Sequence, residues 1–100
     1  MLQIFGIVKH PKEEVGHSAL VTNKIECLQE YVGGYYECVK IRPDLVVICN
    51  EEGRLRGLPY NCTVNGIDFC GQILVLGLNK YGTDFTNVPI TFSEWKEMIA

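Results

Sequence analysis

Residues 50–61 hold the side chains with the clearest chemical potential in this sequence. They place arginine, glutamate and asparagine around residues that favour turns. If a return strand follows a turn at 50–53, Arg54 and Arg56 project from one strand face, where two guanidinium forks can hold a carboxylate or a phosphate. The predicted ligand- or partner-binding residues are Asn50, Glu52, Arg54, Arg56, Tyr60 and Asn61.

The same segment has a second interpretation as an edge strand kept from aggregating by its charges. Native sheets commonly protect their edges in this way. The tyrosines raise a similar choice, because their rings can stack on a base or on a partner but also line the rims of cores. The tyrosines concerned are Tyr31, Tyr35, Tyr36 and Tyr60.

The potential metal ligands do not fit a common metal motif. A polar loop contains His10, Glu13, Glu14 and His17, but their spacing matches no usual helical or knuckle pattern. The chain has five cysteines and no C-x-x-C pair, so Cys62 and Cys70 lack the partners of a structural zinc site. We therefore predict neither a metal site nor a cofactor.

Catalysis remains an alternative hypothesis. A small hydrolase or transferase could use Glu37, Glu51 or a cysteine, although no base can be placed beside a particular cysteine from sequence. The glycines follow neither the Walker pattern nor the dinucleotide-binding pattern, which excludes nucleotide enzymes of those classes. We interpret the chain as non-enzymatic and predict no catalytic residues.

Composition restricts the possible partners and the compartment. The formal net charge is −3 and the basic residues are scattered, so non-specific binding to nucleic acid is not expected. The apolar stretch 2–8 lacks a basic leader and contains Gly6, which supports neither a signal peptide nor a membrane span. The unpaired cysteines favour a reducing compartment, and we predict a cytoplasmic protein.

Hydrophobic patterning predicts one α+β domain over residues 1–100. Strands are expected at 2–8, 19–22, 35–41, 45–49, 54–56 and 71–78. The unalternating run 45–49 indicates a strand covered on both faces. We expect a mixed, mainly antiparallel sheet of four to six strands, with loops at 57–61 and 79–88.

Two helices complete this prediction. One extends from an N-cap at Asn23 to Val32, with Ile25 and Leu28 on its apolar face, and ends at Gly33. It should pack on one face of the sheet. The second is short and follows a capping box that begins at Thr91; it should close an edge of the sheet.

Two motifs resemble a known family. Residues 28–37 fit L-Q-x-x-V-G-G-x-x-E, and residues 50–61 fit N-E-E-G-K/R-L-x-G-L-P-x-N, with Gly71 leading a later strand. The pattern is similar to that of small bacterial and phage proteins catalogued only as a domain of unknown function. The resemblance implies an origin on bacteriophages or other mobile genetic elements, and it implies no reaction.

The leading hypothesis is therefore an accessory protein of a mobile element that acts by binding. Its partner would be a host protein or a small anionic ligand such as a nucleotide. A structural homo-oligomer, for example a homodimer formed through a sheet edge, is the third alternative.

Overall fold

A computed structural model describes residues 2–99 of the chain and shows an α+β fold. The strands are β1 (Gln3–Lys9), β2 (His17–Thr22), β3 (Tyr36–Arg42), β4 (Leu45–Asn50), β5 (Tyr60–Val64), β6 (Ile67–Cys70), β7 (Ile73–Leu78) and β8 (Phe85–Thr86). The helices are α1 (Ile25–Val32) and α2 (Phe92–Met98). Six strands form one sheet in the order β2-β1-β7-β4-β3, with β8 paired to β7, while β5 and β6 form a separate ribbon. All these pairings are antiparallel, and the predicted fold class is confirmed.

The two central strands are the most deeply buried elements. Every residue of β4 is buried, and β7 is buried up to its last residue. β4 lies between β3 and β7, so both of its faces are covered by packed side chains. The unalternating apolar run at 45–49 correctly predicted this placement.

The sheet has a core on each face. On one face, Leu28 and Val32 of α1 pack with β4 and β7 side chains such as Ile48. On the other, Trp95 of α2 and Phe69 of the β5–β6 ribbon pack in a second cluster. The sheet therefore carries α1 on one side, and the ribbon with α2 on the other.

The first helix starts later than predicted. Lys24, not Asn23, occupies the N-cap position, and its side chain makes no capping bond. The side-chain Nδ2 of Asn23 instead donates to Asp84 Oδ1 at 3.1 Å. Ile25, on the predicted apolar face, is 61% exposed, whereas Leu28 and Val32 of that face are buried. The predicted end is confirmed, because Gly33 adopts a left-handed φ of 76° that favours glycine.

The second helix begins as predicted and packs in a different place. Thr91 Oγ1 accepts from the Glu94 amide, and Glu94 accepts from the Thr91 amide, which completes the capping box. Ile90 and Trp95, at the spacing of a hydrophobic staple, are both buried. Since Trp95 lies in the cluster beneath the sheet, α2 covers a face of the sheet and does not close an edge.

The predicted strand at 54–56 was wrong. Residues 51–57 form consecutive turns, because Arg56 N donates to Glu52 O at 2.8 Å and Leu58 N to Gly53 O at 2.9 Å. The turns end at Gly57, which has a φ of 67°. Two unpredicted pairings also form: β8 lies inside the predicted loop 79–88, and β5 joins β6 through a turn at Asn65 and Gly66.

Candidate functional site

The residues predicted to bind a ligand do not converge on one site. Asn50 and Asn61 are buried, whereas the other four have exposed side chains. Arg54 Nη2 donates to the Asp68 carbonyl at 3.3 Å, and Arg56 Nη1 donates to the Gly33 carbonyl at 3.2 Å. Because these acceptors lie on β6 and after α1, the two guanidinium groups do not form a shared fork for an anion.

Asn50 connects the two sequence motifs. Its Nδ2 donates to the Val32 carbonyl at 3.0 Å, and its Oδ1 accepts from the Glu52 amide at 2.8 Å. A Cβ on Gly34 would lie 3.1 Å from this Nδ2, which is a tight contact at a position whose φ of 156° also favours glycine. Asn50 therefore provides an acceptor for the turn and a donor for the C-terminus of α1.

Asn61 has a comparable role at the start of β5. Its Nδ2 donates to the carbonyl oxygens of Lys9 and Gly71 at 2.8 Å each. Beside it, the Tyr60 hydroxyl contacts Thr63 Oγ1 at 2.6 Å. The bonds of Asn61 tie the ribbon to β1 and to the chain leading into β7.

The carboxylates predicted as catalytic alternatives border a cavity of about 350 Å³. Glu37 and Glu51 lie there with Cys49, whose Sγ is 3.7 Å from Glu37 Oε1. Burial, together with the charge of Glu37, raises the pKa of Cys49 to about 12. Burial also raises the pKa of Cys38 and of Cys62. These three thiols are therefore protonated at neutral pH, whereas a nucleophilic cysteine needs its thiolate.

The polar loop after β1 is organised by Glu13. Its Oε1 accepts from the His10 amide at 2.9 Å, and its Oε2 lies 2.8 Å from His17 Nδ1. The hydrogen bond from the His10 backbone amide lowers the pKa of Glu13, and the hydrogen bond to the His17 ring lowers it further. Within residues 2–99, no three histidine, cysteine or acidic side chains come together as metal ligands.

A larger cleft, of about 500 Å³, opens between the start of α1, β3 and the 79–85 loop. Its floor is apolar and comes from Leu28, Val46 and Leu78. The rings of Tyr36 and Phe85 form one wall, with centroids 6.5 Å apart and planes inclined by 60°. Burial raises the pKa of Tyr36, so its hydroxyl remains a neutral hydrogen-bonding group. We call this the α1–β3 cleft.

The rim of the α1–β3 cleft is polar. Lys40 and Cys38 face it from β3, and Asp84 faces it from the opposite loop. Asp84 Oδ1 accepts from the side-chain Nδ2 of Asn23 at 3.1 Å and from the backbone amide of Phe85 at 2.9 Å. Among the described residues of the lining, the charged side chains are Lys40 and Asp84, so the cleft presents an ammonium group and a hydrogen-bonded carboxylate.

The loop that forms this rim is held by its own hydrogen bonds. Asn79 Oδ1 accepts from the amides of Thr83 and Asp84, at 2.8 and 3.3 Å. Asn79 N also donates to the Asp84 carbonyl at 3.0 Å. This rim is therefore shaped before any ligand arrives, as in pre-formed small-molecule sites.

Only part of the α1–β3 cleft had a signal in the sequence. Tyr36 is one of the tyrosines whose rings the sequence offers for stacking, and residues 79–88 are predicted only as a loop. Val46 and Leu78 lie in separate strands, and only the β4–β7 pairing and the packing of α1 bring them under one opening. No local pattern encodes that arrangement.

The fold defines an α+β protein with an antiparallel sheet whose α1 face bears a cleft, and neither helix within residues 2–99 has the length and hydropathy of a membrane span. The chain belongs to the family of DUF3846, a domain of unknown function, whose model matches residues 4–100. The expected membership of a family without an assigned function is thereby confirmed. No curated protein and no solved structure matches the chain significantly.

Proposed function

We propose that this protein binds a small anionic ligand with an aromatic or apolar part, such as a nucleotide, in the α1–β3 cleft. The observation that carries the proposal is the pairing of an apolar floor and an aromatic wall with the Lys40 ammonium group on the rim. A volume of about 500 Å³ lies in the range of small-molecule sites. The predicted binding residues of the 50–61 segment are not among the described residues of this lining.

Each part of the cleft has a distinct task in this proposal. The floor excludes water from the apolar part of the ligand, which is the main favourable term. The half-buried rings of Tyr36 and Phe85 offer an aromatic surface for a base to stack on. Lys40, on the rim, attracts the anionic group of the ligand.

The chemistry of the lining supports binding without catalysis. The lining includes the thiol of Cys38, whose pKa is raised by burial and by the charge of Glu37. A protonated thiol is a weak nucleophile. With the mobile-element setting that the motif resemblance implies, the proposal describes an accessory protein that acts through its ligand.

The test uses a panel of nucleoside mono-, di- and triphosphates titrated into the full chain. We expect saturable NMR shifts at Lys40, Tyr36 and Phe85 for at least one nucleotide. Lys40→Gln should weaken binding about tenfold or more, because it removes a charge-assisted contact. The control Lys12→Gln makes the same charge change on an exposed loop and should leave the affinity unchanged.

Cys38 provides a second readout without mutation. Because its side chain lines the cleft, a bound ligand should slow its alkylation by iodoacetamide, measured by mass spectrometry of the Cys38 peptide. The proposal is wrong if no nucleotide shifts the cleft resonances and none protects Cys38. Binding that survives unchanged in Lys40→Gln would also overturn the assigned role of this lysine.

A further inference from the structure

Lys9 is the only charged side chain buried in the described part of the chain. It is 3% exposed at the end of β1, and the other buried polar side chains, Asn50 and Asn61, are neutral. Lysines are almost never buried to this extent without a partner. The position of Lys9 is therefore unusual for a residue with only a structural role.

The partners of the Lys9 ammonium group are neutral oxygens. Nζ donates to Asn61 Oδ1 at 2.9 Å and to the Asn61 carbonyl at 3.3 Å. Within residues 2–99, no carboxylate lies at ion-pair distance from Nζ, and no acceptor is bonded to its third N–H. A buried cation that keeps one donor and lacks a counter-charge provides a strong local preference for an anion.

Lys9 also borders a cavity of about 470 Å³. The apolar part of the lining includes Met98 and Ile99, which pack against the core beneath the sheet. The ring of Tyr60 faces the same space, and Glu14 stands at its edge with an exposed side chain. The cavity thus joins a buried cation to an apolar surface.

We propose that this cavity is a binding site for a small organic monocarboxylate. One carboxylate oxygen accepts the third N–H of Lys9, and the hydrocarbon part of the ligand packs on Met98 and Ile99. A single positive charge with one remaining donor matches a monoanion. The Glu14 carboxylate at the edge disfavours a dianion such as hydrogen phosphate by like-charge repulsion.

This site is separate from the α1–β3 cleft. Leu28 and Val46 of the cleft belong to the core on the α1 face, whereas Cys62 of the cavity belongs to the core on the opposite face. Among residues 2–99, the two sites have no lining residue in common. Each proposal can therefore fail without affecting the other.

The test is a titration of the ¹³C-labelled full chain with sodium butyrate at constant ionic strength, followed by NMR. We expect the Lys9 ε-carbon and the Met98 methyl group to shift saturably, and the Lys40 resonances to stay fixed. Butanol keeps the hydrocarbon and inorganic phosphate supplies a different anion. Neither should reproduce the shifts at equal concentration.

Two variants identify the groups responsible. Lys9→Met retains side-chain length and removes the charge, and it should weaken butyrate binding about tenfold or more. Lys12→Met, on the exposed loop, should bind butyrate like the wild type. Glu14→Gln should strengthen binding, because it removes the like charge at the edge. Absence of a saturable shift at Lys9 in the wild-type protein would overturn the proposal even if Lys9→Met does not fold.

Discussion

Lys9 and Asn61 bond to each other in both directions. Lys9 Nζ donates to Asn61 Oδ1 at 2.9 Å, while Asn61 Nδ2 donates to the Lys9 carbonyl at 2.8 Å. The two residues lie 52 positions apart in the sequence, and their bonds join the end of β1 to the start of β5. They form a buried polar connection between the sheet and the layer beneath it.

The first prediction concerns Asn61→Leu, which keeps the side-chain size and removes its polar atoms. The carbonyl oxygens of Lys9 and Gly71 then lose their amide donor, and the Lys9 ammonium loses its side-chain acceptor. We expect the free energy of unfolding to fall by about 3 kcal/mol, since each buried unsatisfied group costs about 1–3 kcal/mol. Urea denaturation would measure this change.

The matched control is Glu52→Gln, at a predicted site residue with an exposed side chain. It should change stability by less than about 0.5 kcal/mol. A loss below about 1 kcal/mol for Asn61→Leu would contradict the structural importance of the pair.

The second prediction compares the residues that bond to the end of α1. Asn50→Asp removes the Nδ2 donor to the Val32 carbonyl and brings a negative charge to the C-terminus of the helix, where the dipole is unfavourable to it. We expect a loss of about 2 kcal/mol or more. Arg56→Gln removes an exposed bond to the Gly33 carbonyl and should cost less than about 1 kcal/mol.

Thermal and urea unfolding of both variants would provide these values. Equal losses would mean that the exposed arginine contributes as much as the buried amide. That outcome would mean that Arg56 and Asn50 act together in holding the end of α1.

Local signals determined which parts of the fold could be predicted from sequence. The capping box at Thr91 and the left-handed end at Gly33 depend on residues a few positions apart, and both were predicted. The strand at 54–56 was inferred from three alternating residues, a pattern too short to compete with the hydrogen bonds of the turns at 51–57.

Other features needed long-range information. The lining of the α1–β3 cleft comes from segments as distant as Asn23 and Phe85, so its shape follows from the strand order and not from any motif. Lys9 lies just after the predicted strand 2–8, and its buried partner Asn61 is 52 positions away in the sequence. By contrast, Asn65-Gly66 is a strong local signal for a hairpin, although no hairpin was predicted there.

The third prediction concerns that hairpin. Asn65 and Gly66 have φ values of 54° and 79°, the combination of a two-residue turn between antiparallel strands. Gly66→Ala should destabilise the protein by about 1 kcal/mol, because alanine is strained at positive φ. Asn65→Gly should be close to neutral, since glycine adopts this conformation freely. Chemical denaturation distinguishes the two, and a neutral Gly66→Ala would contradict the turn geometry.

The fourth prediction concerns the pH dependence of stability. In the folded protein the pKa of Cys49 is raised from 9.0 to about 12, chiefly by burial. Between these values the unfolded chain loses the thiol proton while the folded chain retains it, so unfolding becomes easier as pH rises. The stabilising contribution is complete below pH 9 and is lost progressively toward pH 12. Burial also raises the pKa of Cys38, Cys62 and Tyr36, which adds to the same trend.

Cys49→Ala tests this prediction by removing one titrating group from the core. Urea midpoints measured from pH 7 to pH 11 should decline less steeply above pH 9 in this variant than in the wild type, because the alanine has no proton to lose. Val47→Ala is the matched control: it also truncates a buried β4 side chain, and it should lower every midpoint while keeping the wild-type slope. If Cys49→Ala and Val47→Ala decline in parallel, the Cys49 thiol titrates alike in the folded and unfolded chains, and its assigned pKa is wrong.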